Sequence, residues 1–328
     1  MILKTKRLIL RPWEEAGAED LYTYARDERI GPVAGWPTHT SAENSREIIR
    51  EVLSAEETYA VCLKEDGRAI GSVGLMIGQS GNIGLPETEG EIGYWIGVPF
   101  WGQGLIPEAV REIIRHAFVN LRLQTLWCGY FEGNEKSRRV QEKCGFVFHH
   151  TVRDIPWPRM GDIRTEHISR LTRDDWRAGF PIRKLTPDEI PAALELAWNV
   201  FSEFESPVYS REGTQMFRKC LLDESYLSGI EYYGAFDGPT LIGEIGIRTE
   251  KRHICFFFVD GDYHRLGVGT RLFRFVRNDF PQDAITLNSS PYGLPFYKAN
   301  GFTATAQEQT VDGIRFTPMV FTPTADAE

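Results

Sequence analysis

At 328 residues, with 42% apolar and 25% charged side chains, the chain is too long for one ordinary domain and has enough apolar residues to fill two cores. A formal charge of −9 without any basic block argues against a general nucleic-acid or anionic-membrane binder, although an acidic cleft would attract a small cationic substrate. The five cysteines, Cys62, Cys128, Cys144, Cys220 and Cys255, are odd in number and widely spaced, which points to a reducing compartment and speaks against zinc or any other metal centre.

The opening segment, MILKTKRLILRPW, alternates charged and apolar residues and is predicted to be a first β-strand, not a signal peptide. No apolar run approaches the ~20 residues needed to span a bilayer, so a soluble, cytoplasmic protein is expected. Glu91–Ile96 (EIGYWI) reads as a strand and runs into the glycine turn Trp101–Leu105 (WGQGL), with Pro107 marking a helix start. Ala109, Val110, Ile113, Ile114, Ala117 and Phe118 recur at helical spacing and predict one buried face. A strand at Thr125–Tyr130 and a helix from Asn134 to Gly145 follow, with Phe146 next. Charge, glycine and proline in Asp174–Pro181 (DDWRAGFP) predict a linking loop before a new strand at Ile182–Lys184.

Beyond that loop the same order returns. His253–Val259 (HICFFFV) is a strand, His264–Gly269 (HRLGVG) a turn, and Leu272, Phe273 and Val276 mark a helix. A short strand at Ala284–Leu287 and a helix through FYKAN end at Gly301-Phe302. The polar tail Thr322–Glu328 is expected to fray. Two copies of one fold explain this order better than a single large fold.

A strand, a glycine turn and a helix N-terminus together make an anion site, because the first helical amides lack partners and glycine lets a phosphate approach the backbone. Arg265 adds a charged contact in the second copy. The third glycine of a dinucleotide fingerprint and the G-K-[ST] of a P-loop are both missing. Either turn taken alone is equally compatible with a plain connection that binds nothing.

The surrounding residues supply more. His264-Arg265-Leu266-Gly267-Val268-Gly269 resembles the Q/R-x-x-G-x-G/A loop of the GNAT superfamily of N-acetyltransferases, with histidine in the first place, and SSPYGLPFYKANGF is similar to that family's second signature. In the first copy TKRLILRPW, YWIGVPFWGQGLIPEA and NEKSRRVQEKCGF resemble the subgroup that includes ribosomal-protein N-terminal acetyltransferases. Ile106 stands where that subgroup carries a small residue. The resemblance implies two tandem α/β domains, residues 1–176 and 181–328, each a mixed, mostly antiparallel sheet flanked by helices. It further implies an enzyme that transfers acetyl from acetyl-CoA to a primary amine, either a protein N-terminus or a small molecule, by direct attack. One domain could instead be a binding module only, and a nucleotide-dependent oxidoreductase is a third reading.

The cofactor contacts implied are Ile96, Trp101, Gly102, Gln103, Gly104, Leu105, Ile106 and Asn134 in the first copy. In the second they are Phe258, Val259, His264, Arg265, Leu266, Gly267, Val268, Gly269, Thr270 and Asn288. Glu91, opening the strand that feeds the loop, is a candidate base or a solvated strand-end glutamate, with Glu89 as its substitute. By the resemblance Ser137 and Tyr297 are acids for the leaving thiolate, although Ser137 is equally suited to a local backbone bond. Asn134 also suits a helix N-cap. His253 is a candidate base in the second copy, and Glu203 and Glu205 are candidates for holding a cationic substrate. Trp36, Trp95, Trp101 and Trp127 are expected to form core and cleft wall.

Overall fold

The computed structural model describes residues 1–81 and 83–323, and it divides into a first unit, Met1–Trp176, and a second, Arg177–Glu328. Most of the polar tail, residues 324–328, lies outside the described residues.

In the first unit the opening segment makes two strands, not one. β1 (Leu3–Lys4) turns back at Thr5, whose hydroxyl accepts from the Leu8 amide at 3.0 Å, into β2 (Leu8–Pro12). Three helices follow: α1 (Ala18–Ala25), α2 (Gly31–Ala34) and α3 (Ala42–Ile48). Strands β3 (Thr58–Leu63), β4 (Ala69–Ile77) and β5 (Glu89–Ile96) lead to α4 (Leu105–Arg115). Then come β6 (Thr125–Phe131), α5 (Glu135–Lys143) and the hairpin β7 (Val147–Trp157) and β8 (Asp162–Thr172). The sheet order is β1-β2-β3-β4-β5-β6-β8-β7, antiparallel throughout except for β5 beside β6.

Burial follows the periodicity. Ala109, Val110, Ile113, Ile114, Ala117 and Phe118 are all buried, while Trp13, Leu21, Ala25 and Ile49 form a separate cluster with Ala60 and Cys62 of β3. Pro107 occupies the third helical position, two residues later than the sequence suggested, where an amide still has no intrahelical partner.

The stretch expected as a loop before the second unit contains a helix, α6 (Arg173–Ala178). Its end is fastened by Arg271, whose guanidinium donates to the carbonyls of Arg177, Ala178 and Phe180. The second unit continues with β9 (Ile182–Lys184), α7 (Ile190–Val200), α8 (Arg211–Cys220) and α9 (Glu224–Leu227). Next are β10 (Ile230–Asp237), β11 (Thr240–Arg248), β12 (His253–Val259), α10 (Val268–Asn278), β13 (Ile285–Ser289) and α11 (Leu294–Ala299). Strands β14 (Phe302–Ala304), β15 (Gln309–Val311) and β16 (Ile314–Phe321) close the fold. The order is β14-β16-β13-β12-β11-β10-β9, with β15 on β16, and β12–β13 is the parallel pair.

The two units share a register. Gly71 of β4 faces Ile96 and Gly243 of β11 faces Val259; at the other ends of these pairs Met76 faces Glu91 and Arg248 faces His253. His253 therefore stands in Glu91's place, and a bulge that leaves Cys255 unpaired absorbs the difference in count.

Candidate functional site

In each unit the two parallel strands pair for only a few residues and then part. β5 meets β6 from Glu89–Thr125 to Glu91–Trp127, and β12 meets β13 at His253–Thr286 and Ile254–Leu287. Past this point in the first unit the Cys128 thiol donates to the Ile92 carbonyl at 3.2 Å, and the remaining backbone groups of both strands have no partner strand on that side. The result is a wedge between strands that opens toward the head of α4, and of α10 in the second unit.

The loops at the wedge mouths are built alike. After a short 3-10 turn, Trp101 and His264 take extended backbone angles, and each ring reaches back to the last strand carbonyl. The Trp101 indole donates to Ile96 at 3.1 Å and the His264 Nε2 donates to Val259 at 2.7 Å. Both rings are thus committed to bracing the strand end. His264 Nδ1 is left as an acceptor for the Tyr292 hydroxyl at 3.3 Å, and the Lys136 ammonium lies 3.3 Å from the centre of the Trp101 ring. The next residues, Gly102 and Arg265, are left-handed with φ 77° and 63°, as are the helix-capping Gly104 and Gly267 with φ 73° and 82°. A Cβ on Gly102 would meet nothing, so glycine is favoured there by its backbone angle and not by space, and Arg265 takes the same region at the equivalent position. The Gln103 amide donates to Pro99 at 2.9 Å and so folds into the loop.

An arginine from the start of each unit pins the same carbonyl. Arg7 donates to Gln103 at 3.0 Å and Arg177 donates to Leu266 at 3.2 Å. Arg7 is held in turn by Glu108 of α4, which also accepts from the Thr5 hydroxyl at 2.5 Å. Both arginines lie in segments the sequence singles out, TKRLILRPW and DDWRAGFP, but nothing there gives either one a role at its loop.

Within the first wedge Glu91 is buried at the paired end. Its neighbour Glu166, on β8, was not anticipated from sequence. Burial, and then the charge of Glu91, raise the Glu166 carboxyl to about 7. A Cβ on Gly129 would fall 2.0 Å from a Glu166 oxygen, so Gly129 of β6 is the gap that lets this side chain cross. Glu89 accepts from the Trp127 indole at 2.5 Å and is occupied. Ser137 Oγ lies 3.0 Å from the Tyr94 hydroxyl, and burial raises that phenol well above its usual range. Asn134 caps α5, its side chain accepting from the Ser137 amide at 3.2 Å. Gln141 sits four residues before Gly145, as Tyr297 does before Gly301, and donates to the Gly129 carbonyl at 3.0 Å. The four tryptophans do not form one wall: Trp36 meets Trp95 edge-on at 5.7 Å, whereas Trp101 and Trp127 serve the separate contacts just described.

In the second wedge Tyr297 packs on Phe257 of β12 at 6.0 Å and on Phe302 at 5.6 Å, and burial and nearby carboxylates keep its phenol protonated. His253 Nδ1 contacts the Thr286 hydroxyl at 2.9 Å. Burial, with Arg248 and Lys251 nearby, lowers its pKa and favours the neutral ring. The Phe258 ring is part of the apolar core, which leaves its main chain as the portion available to a ligand. Thr270 lies in the first turn of α10, and the side chain of Asn288 is exposed. Glu203 is exposed and Glu205 half-buried.

Comparison with known proteins accords with this geometry. Two family models, each described as an acetyltransferase (GNAT) domain, match residues 7–147 and residues 205–323. The chain is 32% identical to the Bacillus subtilis protein named N-acetyltransferase YjcK, over 44% of this chain and 83% of that protein. It is 28% identical to N-acetyltransferase p20 of Bacillus licheniformis, over 52% of this chain and 97% of that one. A third relative, bearing the name ribosomal N-acetyltransferase YdaF in Bacillus subtilis, is 38% identical over 27% of this chain and 46% of its own length. With one match in each half of its length, the chain belongs to the GNAT acetyltransferases and carries two of the family's domains in tandem.

Proposed function

We propose that both units bind acetyl-CoA along the wedge, with its diphosphate at the mouth of α4 or α10, and acetylate a primary amine. The observation that carries this reading is the duplicated loop, with the same sequence of backbone angles, the same ring-to-carbonyl brace and the same arginine clamp. The residues present suit the group: left-handed positions turn the chain so that first-turn amides and the helix dipole face an anion, and exposed Arg265 adds positive charge. When bound, acetyl-CoA supplies an activated thioester.

In this reading Glu91 and Glu166 of the first unit take the proton of a cationic amine, and Ser137, coupled to Tyr94, protonates the leaving sulfur. In the second unit Tyr297 takes the donor role and His253 stands at the register position of Glu91. The relative named as a ribosomal N-acetyltransferase makes a protein amino group the first acceptor to try, with small-molecule amines second. The five free cysteines support a reducing cytoplasmic setting, and among the described residues no helix is long and apolar enough to cross a membrane.

Calorimetric titration of the full chain with coenzyme A tests the reading, with two sites per chain expected. Gly104→Asp and Gly267→Asp, each placing a charged side chain at a left-handed phosphate-loop position, should remove one site apiece. A single site in the wild type would reduce one unit to another role, and no binding would overturn the proposal. A turnover screen against peptides, amino acids and polyamines would then identify the acceptor.

A further inference from the structure

The helix α7 does not end at Val200 but runs on through one π-turn, Phe201–Glu205, which carries Glu205 to the second wedge. Its neighbours fix the position. Phe201 is buried in the core, and Phe204 stacks on Tyr292 at 5.4 Å and lies 4.8 Å from the His264 ring of the phosphate loop. The Ser290 hydroxyl donates to the Glu205 carboxylate; burial, with the charge of that carboxylate adding to it, raises the phenols of Tyr209, Tyr292 and Tyr297. The other titratable groups acting on these phenols are Glu308 and Arg315 at Tyr209, Glu203 and Arg265 at Tyr292, and Glu244, itself kept neutral by burial, at Tyr297. Among the described residues Glu205 forms no ion pair.

We propose that Glu205 is the proton acceptor of the second unit, taking a proton from a cationic amine while Tyr297 protonates the departing sulfur. This rests on the second unit being an active acetyltransferase. A carboxylate held by Ser290 close to the Tyr297 phenol, without a cation of its own, is a place for the ammonium of the acceptor. Transfer of one ammonium proton to Glu205 frees the nitrogen lone pair to form the C–N bond at the thioester carbonyl. As the C–S bond breaks, the Tyr297 phenol protonates the sulfur, and the phenolate regains its proton from the acylated nitrogen. Glu205 then releases its proton to solvent, so one proton leaves per turnover. Burial places the Glu205 carboxyl at about 7, with the Ser290 hydroxyl pulling the other way, which suits a base working near neutrality.

The test uses the full chain carrying Gly104→Asp, so that turnover reports the second unit. Glu205→Gln should lower kcat about 100-fold, leave the KM for acetyl-CoA within about twofold, and abolish the acid limb of kcat/KM near pH 7. Glu205→Asp should retain part of that limb. Independently of turnover, the 13C carboxyl resonance missing from the Glu205→Gln spectrum should titrate near pH 7 in the otherwise unsubstituted chain. A midpoint in the ordinary carboxylate range, or an acid limb that survives Glu205→Gln and disappears in His253→Gln, overturns the proposal alone. Absence of any turnover in the Gly104→Asp chain overturns the activity of the second unit and the proposal with it.

Discussion

Arg177 does for the second unit what Arg7 does for the first: each guanidinium donates to the carbonyl one residue before the helix-capping glycine, and in each case a Cβ on that glycine would lie 3.7 Å from the arginine Nη2. The carbonyl that each one holds, Gln103 or Leu266, belongs to the loop proposed to receive phosphate. A guanidinium there does two things at once, fixing the loop and adding positive charge close to the anion. Arg7→Ala should weaken one of the two coenzyme A sites about fivefold, a modest effect because Arg7 is half exposed. Arg177→Ala should weaken the other. Calorimetry with both sites unchanged would remove the clamp from the binding account.

The loop glycines carry a stability consequence as well. Gly104 and Gly267 sit at φ 73° and 82°, where any side chain strains the backbone. Gly104→Ala is expected to destabilise its unit by about 1–2 kcal/mol, read by urea denaturation, although no atom crowds the added methyl. An unchanged midpoint would mean that the loop relaxes freely and is not preformed.

Glu166 and Glu91 share one field in the first wedge. Removing the Glu91 charge with Glu91→Gln should lower the Glu166 midpoint from about 7 toward the ordinary carboxylate range, with burial left as the remaining cause. 13C NMR of labelled glutamates measures this. A midpoint that stays in place would show that the two carboxylates act independently.

Ser137 and Tyr94 form the other half of that site, their hydroxyls 3.0 Å apart. In a chain with the second loop closed by Gly267→Asp, Ser137→Ala should reduce kcat about 100-fold with little change in coenzyme A affinity. Tyr94→Phe should cost less, since it leaves the Ser137 hydroxyl in place. Equal and small effects would return Ser137 to the backbone-bonding role that its position near the start of α5 also permits.

Glu244, in the core of the second unit, has neither carboxylate oxygen hydrogen-bonded among the described residues, and burial raises its pKa well above the ordinary value. The folded state therefore keeps a proton that the unfolded chain loses above about pH 4.5. The stability contributed by the protonated form is fully present below the unfolded pKa and declines as pH rises through neutrality. Glu244→Gln should flatten that decline, and Glu244→Leu should stabilise the unit at pH 8 by about 1–3 kcal/mol. Melting temperatures at pH 5 and pH 8 decide it, and parallel pH profiles for variant and wild type would count against a buried neutral acid.

Sequence alone determined the order of strand, turn and helix around each loop and the places where backbone chemistry is local. Glycine at Gly104 and Gly267, the apolar spacing of α4 and the Gly-Phe that ends each late helix are written in neighbouring residues, because φ angles and helical faces depend on short stretches of chain. The family resemblance, and not local backbone chemistry, singled out Ser137 and Tyr297 as candidate acids. Local patterning misread Asp174–Pro181, where charge and glycine suggested a loop but the carbonyls held by Arg271 help fix the end of a short helix. Glu166 reaches the first wedge from β8 across the gap at Gly129, Arg7 reaches its loop from about a hundred residues upstream, and Glu205, which the sequence offered only as a holder of a cationic substrate, arrives through one turn of π-helix. Only tertiary structure decided these, because a carboxylate's proton affinity and a guanidinium's partner depend on what the folded chain brings within a few ångströms, and no local pattern encodes that distance.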